Sequence, residues 1–197
     1  SVTFVLQSGE HPKRQELVKF LTDIAGVNGK ITFAERDTHG ELRSPITFSI
    51  EADGADTGIR FSGIPSGHEF NSLILALLQS SGTSVKLDEN IKQIIAAIED
   101  SLQFEVFVSL SCHNCPDVVQ ALNQFALLNP SIQAEMIDGG LFQDVIDARD
   151  IQGVPTVYLN GELFASGKVT AAELVQKLID RYPGITQKKP VKAAPLQ

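Results

Sequence analysis

The sequence predicts an α/β protein in which one small fold occurs twice. Strand-like and helix-like patterns alternate along the chain, the order of elements in the first half recurs in the second, and a helical pattern joins the halves. Each copy should form a mixed β-sheet flanked by helices. We expect the first copy over residues 1–83, a connector helix over 84–100, the second copy over 101–184 and a linker over 185–197.

The elements of the first copy are predicted from the spacing of apolar residues, which recur every three or four positions in helices and alternate or run together in strands. The first elements are a strand at 2–8, a helix from Pro12 closed by Gly26 and Gly29, a strand at Lys30–Ala34 and a polar loop from Glu35 to Ser44. They are followed by a strand at Pro45–Ile50, a turn at Asp53-Gly54, a strand at Gly58–Ser62 and a helix over Phe70–Leu78. Gly82 ends this copy.

A packed helix is predicted between the copies, because isoleucines recur at helical spacing from Ile91 to Ile98 and Asp88 is a suitable cap. The second copy follows with the elements of the first. Its first elements are a strand at Gln103–Leu110, a helix opened by the two cysteines and stopped by Asn129-Pro130, a strand at Ile132–Ile137 and a short helix over Leu141–Ile146. A hairpin follows, with strands at Gly153–Leu159 and Leu163–Ser166 joined by a turn at Asn160-Gly161. The last helix has Thr170 and Glu173 as a capping box and is ended by Pro183-Gly184.

The two halves align as an internal repeat. The segment Phe4–Pro12 matches Phe107–Pro116 with one residue of slack, and Ser44–Phe48 matches Val154–Tyr158. Both halves then finish with two strands and a helix. Only the second copy carries thiols, because Gly9 stands where the first cysteine of the second copy stands.

Composition excludes several classes of protein. The 197-residue chain has a formal net charge of -8, which argues against binding to nucleic acids or anionic lipid surfaces. No apolar run approaches the roughly 18 residues of a membrane span, and no charged-then-apolar leader is present, so neither insertion nor secretion is indicated. Two cysteines in a single pair fit a reducing compartment. We therefore expect a cytoplasmic protein without nucleic-acid or membrane partners.

The pair Cys112 and Cys115 follows a predicted strand and opens a predicted helix. Cysteines three positions apart in a first helical turn share one face, so their sulfurs can join and separate with little backbone motion. The free N–H groups and the dipole at a helix start favour the thiolate, which lowers the pKa of Cys112. We predict that Cys112 is the attacking sulfur and that Cys115, one turn deeper, resolves the mixed disulfide. Pro116 suits the first turn, where no N–H bond is lost.

Other interpretations of the cysteine pair have less support. A structural zinc site usually needs four Cys or His ligands, and although four histidines are present, no second paired spacing occurs, so we expect no metal. Haem attachment would require His at the position of Pro116. A purely structural disulfide remains open, but a bridge that closes so short a loop constrains the unfolded chain little.

A CxxC motif between a strand and a helix, followed later by Gly153-Val154-Pro155 and an Asn-Gly hairpin, resembles the thioredoxin and glutaredoxin superfamily. The resemblance implies two thioredoxin-like folds, a cis bond before Pro155, and a loop at this proline that faces the disulfide. Val154, Pro155, His113 and Asn114 are then the residues expected to contact the substrate, whose backbone can pair beside the thiols. His113 and Asn114 are also expected to tune the thiolate.

A closer resemblance covers essentially the whole chain. The runs Cys112–Asn123 and Ile137–Gly140 and, in the first copy, Gly67–Phe70 resemble the N-terminal domain of the flavoprotein component of alkyl hydroperoxide reductases. In that family two thioredoxin-like folds are fused and the first lacks cysteines. The resemblance implies a redox-active disulfide between Cys112 and Cys115 and no cofactor within this chain.

The same resemblance implies the partners. In that family the domain passes electrons from an attached flavoprotein module, which holds FAD and uses NADH, to the disulfide of a two-cysteine peroxiredoxin, the peroxidase component of alkyl hydroperoxide reductase. The basic, proline-bearing tail over 185–197 then resembles the start of the linker to that downstream module, although a frayed terminus is the alternative. The full-length protein could be a homodimer.

Glu69 is the third candidate catalytic residue. In the resembling family the acid at this position lies near the CxxC motif of the other copy and is a candidate proton acceptor. The chemistry requires one, because Cys115 must lose a proton before it attacks, and burial can raise the pKa of a carboxyl into a useful range. From the residues alone, a solvated glutamate or one stabilised by the helix dipole remains an alternative.

Two further functions remain open. A protein disulfide oxidoreductase or isomerase can also fuse two thioredoxin folds, although such proteins usually carry a CxxC motif in each half. Reduction potentials of about −270 mV for a relay and about −180 mV for an isomerase would separate these functions. A non-redox module that docks partners is the second alternative, and it requires full activity without Cys112.

Overall fold

The computed structural model describes residues 1–187, which contain eight strands and six α-helices. The strands are β1 (Val2–Gln7), β2 (Ile31–Arg36), β3 (Thr47–Ala52), β4 (Ala55–Ser62), β5 (Leu102–Val108), β6 (Ile132–Asp138), β7 (Thr156–Leu159) and β8 (Glu162–Ser166). The helices are α1 (Arg14–Ala25), α2 (Phe70–Ser80), α3 (Glu89–Ala96), α4 (Cys115–Leu128), α5 (Gln143–Ala148) and α6 (Ala171–Arg181), with short 3-10 helices at Gly67–Glu69 and Pro183–Gln187.

All eight strands form one continuous sheet in the order β2-β1-β3-β4-β6-β5-β7-β8. The first four and the last four strands follow the same pattern. In each set the first strand pairs in parallel with the second and antiparallel with the third, which pairs antiparallel with the fourth. The predicted repeat of a small mixed sheet is therefore confirmed. The two sheets are not separate, however, because β4 pairs in parallel with β6.

The junction between β4 and β6 is apolar on one face of the sheet. Ile59 pairs with Ala134 and Phe61 with Met136, and all four side chains are buried. Helix α4 packs against both strands and also against α2. One helix thereby covers apolar surface from both copies, which favours the joined sheet over two separate ones. The helix that begins at Cys115 consequently lies over the junction.

A charged network connects the copies on the polar face of the sheet. Arg43, in the loop between β2 and β3, contacts Glu105 and donates to Glu135 at 2.6 Å. Glu105 also accepts a hydrogen bond of 3.0 Å from Arg149. A shared carboxylate held by two guanidinium groups is fixed in orientation more firmly than an isolated surface pair.

Gly58 holds the junction in a conformation that only glycine adopts easily. Its φ is +85°, and an added Cβ would lie 2.4 Å from the carbonyl oxygen of Ile132. Gly54, in the β3–β4 turn, has a similar φ of +82°, but a Cβ there would meet nothing within 4 Å. We predict that Gly54→Ala costs about 1 kcal/mol of unfolding free energy and that Gly58→Ala costs at least about 2 kcal/mol more. Urea denaturation of both variants measures this difference, and equal losses would contradict the prediction.

Most predicted elements are present, with shifts at their ends that have physical causes. β3 begins after Pro45 because proline has no N–H for the strand ladder. β4 begins earlier than Gly58 because the Asp53-Gly54 turn already pairs the flanking residues. The connector region contains α3, which is shorter than the predicted span 84–100. The predicted cap at Asp88, the Thr170–Glu173 capping box and the Asn160-Gly161 hairpin turn are confirmed.

The end of the described chain continues to pack against the core. Ile185, within the short helix Pro183–Gln187, is buried. The rest of the predicted linker, 188–197, lies outside the described residues. Within the described part, the structure has no helix long and apolar enough to cross a membrane.

Candidate redox site

Cys112 and Cys115 form a disulfide between the end of β5 and the start of α4, with their Cα atoms 5.6 Å apart. Cys115 is the first residue of α4, whereas Cys112 lies in the preceding turn. The expectation that both thiols lie in the first helical turn is therefore wrong for Cys112. A helix that began there would need an N–H at Pro116 to bond to the Cys112 carbonyl, and proline has none.

The two sulfurs differ in accessibility, as the sequence predicts. Cys115 is fully buried, and Cys112 is partly exposed against the edge of the core. A sulfur of another protein can therefore approach Cys112, while Cys115 is reached only from within the fold. This asymmetry suits one attacking and one resolving thiol.

The Val154-Pro155 segment faces the disulfide. The peptide bond between these residues is cis, and it is the one cis bond among residues 1–187. The Sγ atom of Cys112 lies 3.9 Å from the carbonyl oxygen of Val154. Two shallow pockets of about 360 and 210 Å³ flank the loop 151–154. The structure thus brings Val154 and Pro155 together with Cys112, beside open surface.

His113 and Asn114 are exposed between the cysteines. Asn114 caps α4, but its side chain makes no capping hydrogen bond. The imidazole ring of His113 meets that of His68 edge to face, with ring centroids 4.4 Å apart. Since His68 belongs to the cysteine-free copy, this contact links the two copies directly at the redox motif.

The segment Gly67–Glu69 is anchored to the loop that precedes the disulfide. The backbone N–H of His68 donates to the carbonyl of Leu110 at 2.9 Å. Gly67 has a φ of +57°, and a Cβ there would lie 2.8 Å from the same carbonyl oxygen. Glycine therefore allows this close approach. The anchor places Glu69 in a segment that contacts the chain two residues before Cys112.

Glu69 is fully buried, so it is not a solvated glutamate. Its Oε1 accepts a 2.7 Å hydrogen bond from the hydroxyl of Ser72, and among the described residues its Oε2 has no hydrogen-bond partner. Burial raises its pKa to about 7, against a smaller lowering by the Ser72 hydrogen bond. In this oxidised form Glu69 makes no hydrogen bond to either cysteine within residues 1–187. The structure therefore places a carboxyl that can be protonated near neutral pH close to the motif.

Ser72 and Gln120 are site residues that the sequence analysis missed. Gln120, on α4, donates through Nε2 to the Ser72 hydroxyl at 3.1 Å, and Ser72 is fully buried. A signal was present, because Glu69, Ser72 and Gln79 form a polar stripe at helical spacing in a segment that is mostly apolar. Such a stripe indicates a polar partner on a facing helix.

In the first copy, the position that matches Cys112 has no room for a cysteine side chain. At Gly9 the φ is +130°, and an added Cβ would lie 2.8 Å from Cγ of Pro45. The bond before Pro45 is not cis, unlike the bond before Pro155. Any side chain at the matching position would therefore require the loop to move. Within residues 1–187, no group of three or more His, Cys, Asp and Glu side chains is placed to hold a metal ion.

Comparison with known proteins identifies the family. A family model described as a thioredoxin domain matches residues 102–180. The crystal structure of the NTD_N/C domain of alkyl hydroperoxide reductase AhpF from Enterococcus faecalis superposes with a TM-score of 0.83 at 35% identity, covering 90% of each chain. The AhpF protein from Pseudomonas aeruginosa is 49% identical over 84% of this chain. The chain belongs to the AhpF family of alkyl hydroperoxide reductases.

The match to the AhpF proteins is partial in length. The chain covers 31% of the Pseudomonas aeruginosa protein, about a third of its length. Family membership and the close cysteine pair make this part a thiol-disulfide oxidoreductase domain with a redox-active disulfide. A protein disulfide oxidoreductase from Aeropyrum pernix K1 superposes with a TM-score of 0.78 over 93% of this chain and 85% of that one, but at 20% identity this likeness shows the shared fold alone.

Proposed function

We propose that this domain relays electrons from a flavoprotein module that uses FAD and NADH to the disulfide of a two-cysteine peroxiredoxin, and so supports hydroperoxide reduction in the cytoplasm. The observation that carries the proposal is the disulfide itself, with a reachable Cys112 beside Val154 and a buried Cys115 behind it. The peroxiredoxin would be the peroxidase component of an alkyl hydroperoxide reductase.

The relay consists of two thiol-disulfide exchanges in the reduced domain. The Cys112 thiolate attacks one sulfur of the peroxiredoxin disulfide, so a mixed disulfide forms and the other peroxiredoxin sulfur leaves as a thiolate. The Cys115 thiolate then attacks Cys112 Sγ, which releases the second peroxiredoxin sulfur and restores the domain disulfide. Two electrons pass to the peroxiredoxin, and the flavoprotein module returns two electrons to the domain.

Glu69 would take the proton that Cys115 loses before the second exchange. Three features support this role: the carboxyl is fully buried, its Oε2 has no partner among the described residues, and its segment is anchored at Leu110. Its pKa of about 7 lets it exist in both protonation states near neutral pH. The carboxyl would act when the reduced motif relaxes toward it, since the oxidised form shows no hydrogen bond between them.

Val154, Pro155, His113 and Asn114 would bind the partner segment that carries the disulfide. All but Pro155 have exposed surface around the partly exposed Cys112. The Val154 carbonyl, 3.9 Å from Cys112 Sγ, would order an extended segment alongside the thiol. His113 and Asn114 would in addition tune the Cys112 thiolate, since they lie between the cysteines.

The division of the chain follows from the same proposal. Residues 1–83 would supply a thioredoxin-like fold without redox cysteines, 84–100 the connector and 101–184 the redox fold. The predicted linker, 185–197, still packs on the core at Ile185, and beyond this contact it would lead to the flavoprotein module. The full-length protein would carry that module downstream and could assemble as a homodimer. The coverage of about a third of the Pseudomonas aeruginosa relative supports an additional module.

The test is anaerobic rapid mixing of the reduced domain with an oxidised two-cysteine peroxiredoxin. We expect stoichiometric loss of the peroxiredoxin disulfide with the wild-type domain and none with Cys112→Ser. An isomerase would be favoured instead if the domain transfers no electrons but efficiently reshuffles scrambled protein disulfides. Its reduction potential should then be about −180 mV, a value typical of such enzymes. Full cellular activity with Cys112→Ser would contradict the relay and favour a docking module.

A further inference from the structure

A chain of three polar side chains connects the buried carboxyl of the cysteine-free copy to the redox helix. Gln120 Nε2 lies 3.1 Å from Ser72 Oγ, and Ser72 Oγ lies 2.7 Å from Glu69 Oε1. Glu69 and Ser72 are both fully buried, and Gln120 is half-buried on α4, the helix that begins at Cys115. The chain therefore crosses from one copy to the other in a region largely closed to water.

The direction of each hydrogen bond in this chain is fixed by chemistry. An amide nitrogen can only donate, so the Ser72 oxygen must accept from Gln120. The single hydroxyl hydrogen of Ser72 is then free to donate to Glu69 Oε1. Because Oε1 is held as an acceptor, a proton that arrives at the carboxyl is directed to Oε2, the oxygen without a partner among the described residues.

We propose that Ser72 and Gln120 are positioning residues that hold the exchangeable proton of Glu69 on Oε2. The inference rests on the proposed role of Glu69 as the proton acceptor of Cys115. The Gln120 amide donates to the Ser72 oxygen, and this keeps the Ser72 hydroxyl hydrogen available for donation to Glu69 Oε1. Without Gln120 the hydroxyl could rotate and accept from the protonated carboxyl, which would favour the neutral acid instead of the carboxylate.

The surroundings of Glu69 leave Ser72 as the main group that opposes the effect of burial. Burial raises the carboxyl pKa and the Ser72 hydrogen bond lowers it. The titratable groups of the adjoining segments are His68, next to Glu69 in the chain, and His113, which contacts His68 from the redox motif. Helix α4, which also packs against the segment of Glu69, adds the disulfide-bonded Cys115 and the exposed Asp117. Removal of the Ser72 hydroxyl should therefore raise the pKa of Glu69 further.

The experiment is a carbon-13 NMR titration of the Glu69 carboxyl in the oxidised domain. We expect Ser72→Ala to raise the pKa by about one unit, and Gln120→Leu to raise it by a smaller amount, because a lost hydrogen bond to a charged acceptor has about this magnitude. Ser80→Ala is the matched control, since it is the same change on the same helix at a hydroxyl without a partner among the described residues. If the pKa of Glu69 in both variants equals the pKa of Glu69 in Ser80→Ala, the inference is overturned.

A second readout tests whether positioning affects the exchange reaction. The pH at which resolution of the mixed disulfide is half-maximal should rise in Ser72→Ala by the same amount as the Glu69 pKa. A Glu69 pKa that shifts without this change in rate profile would overturn the proposed proton transfer. The titration needs no partner protein, so its result is independent of whether the domain reduces a peroxiredoxin. Gln120 is half-buried, so its variant provides the test if Ser72→Ala fails to fold.

Discussion

Replacement of Cys115 by serine should stop the relay at the mixed disulfide. Cys112 remains able to attack, but the resolving sulfur is gone, and only an external thiol can release the partner. An intramolecular nucleophile that is well oriented has a very large effective concentration, so release in millimolar external thiol should be at least about 10³-fold slower than in the wild type. The covalent complex should therefore accumulate on non-reducing gels and show the summed mass of both proteins.

The comparison of the two single-cysteine variants is the decisive part of this experiment. Each variant keeps one thiol, because the chain has two cysteines. Cys115→Ser should form the complex, because its remaining sulfur, that of Cys112, is the partly exposed one. Cys112→Ser is the control, and it should form no complex, since Cys115 is fully buried. A complex through Cys115 of comparable yield would show that the assigned order of attack is wrong.

Replacement of Glu69 by glutamine should raise the unfolding free energy of the oxidised domain relative to that of the wild type as the pH rises. Burial raises the pKa of Glu69 from 4.5 to about 7. Between these values the folded wild type holds a proton that the unfolded chain has lost, so its unfolding free energy falls with increasing pH. The glutamine variant lacks this dependence. Between pH 5 and pH 8 the variant should gain about 2 to 3 kcal/mol relative to the wild type.

Urea denaturation without reductant, across this pH range, measures the gain. Any fixed cost of burying the amide shifts the whole curve and leaves the difference between pH 5 and pH 8 unchanged. Burial also raises the pKa of Asp138, but this effect is common to both proteins and cancels in the comparison. Glu16→Gln, the same change on the exposed part of α1, controls for loss of one negative charge. Parallel curves for Glu69→Gln and the wild type would contradict the buried, protonated carboxyl.

Local features of the fold were predictable because their causes lie within a few residues. The capping box of Thr170 and Glu173 and the Asn160-Gly161 turn each have a short-range signature, and both are present. The repeat was also visible, because both copies place the same element types in the same order. The CxxC motif was informative for the same reason, since its chemistry requires only two residues and a turn.

The remaining features depend on contacts between distant segments. The pairing of β4 with β6 joins residues more than seventy positions apart, such as Ile59 and Ala134, and has no local pattern. The resemblance suggested a role for Glu69, but its burial could not be seen from one acid between His68 and Phe70. The polar stripe that includes Ser72 indicates a polar partner on another helix, but Gln120 is recognisable as that partner only once the two helices are packed together.

The joined sheet gives the cysteine-free copy a structural role that does not depend on a redox reaction. Without it, β6 would be an outer strand, with a row of backbone N–H and C=O groups open to any extended segment. Pairing with β4 closes that side. Under the proposed relay, we expect a strand-like segment of a partner to approach the disulfide from the side of Val154 and Pro155, where the thiol is reachable. We therefore expect the cysteine-free copy to restrict the direction of encounter as well as contribute to the core.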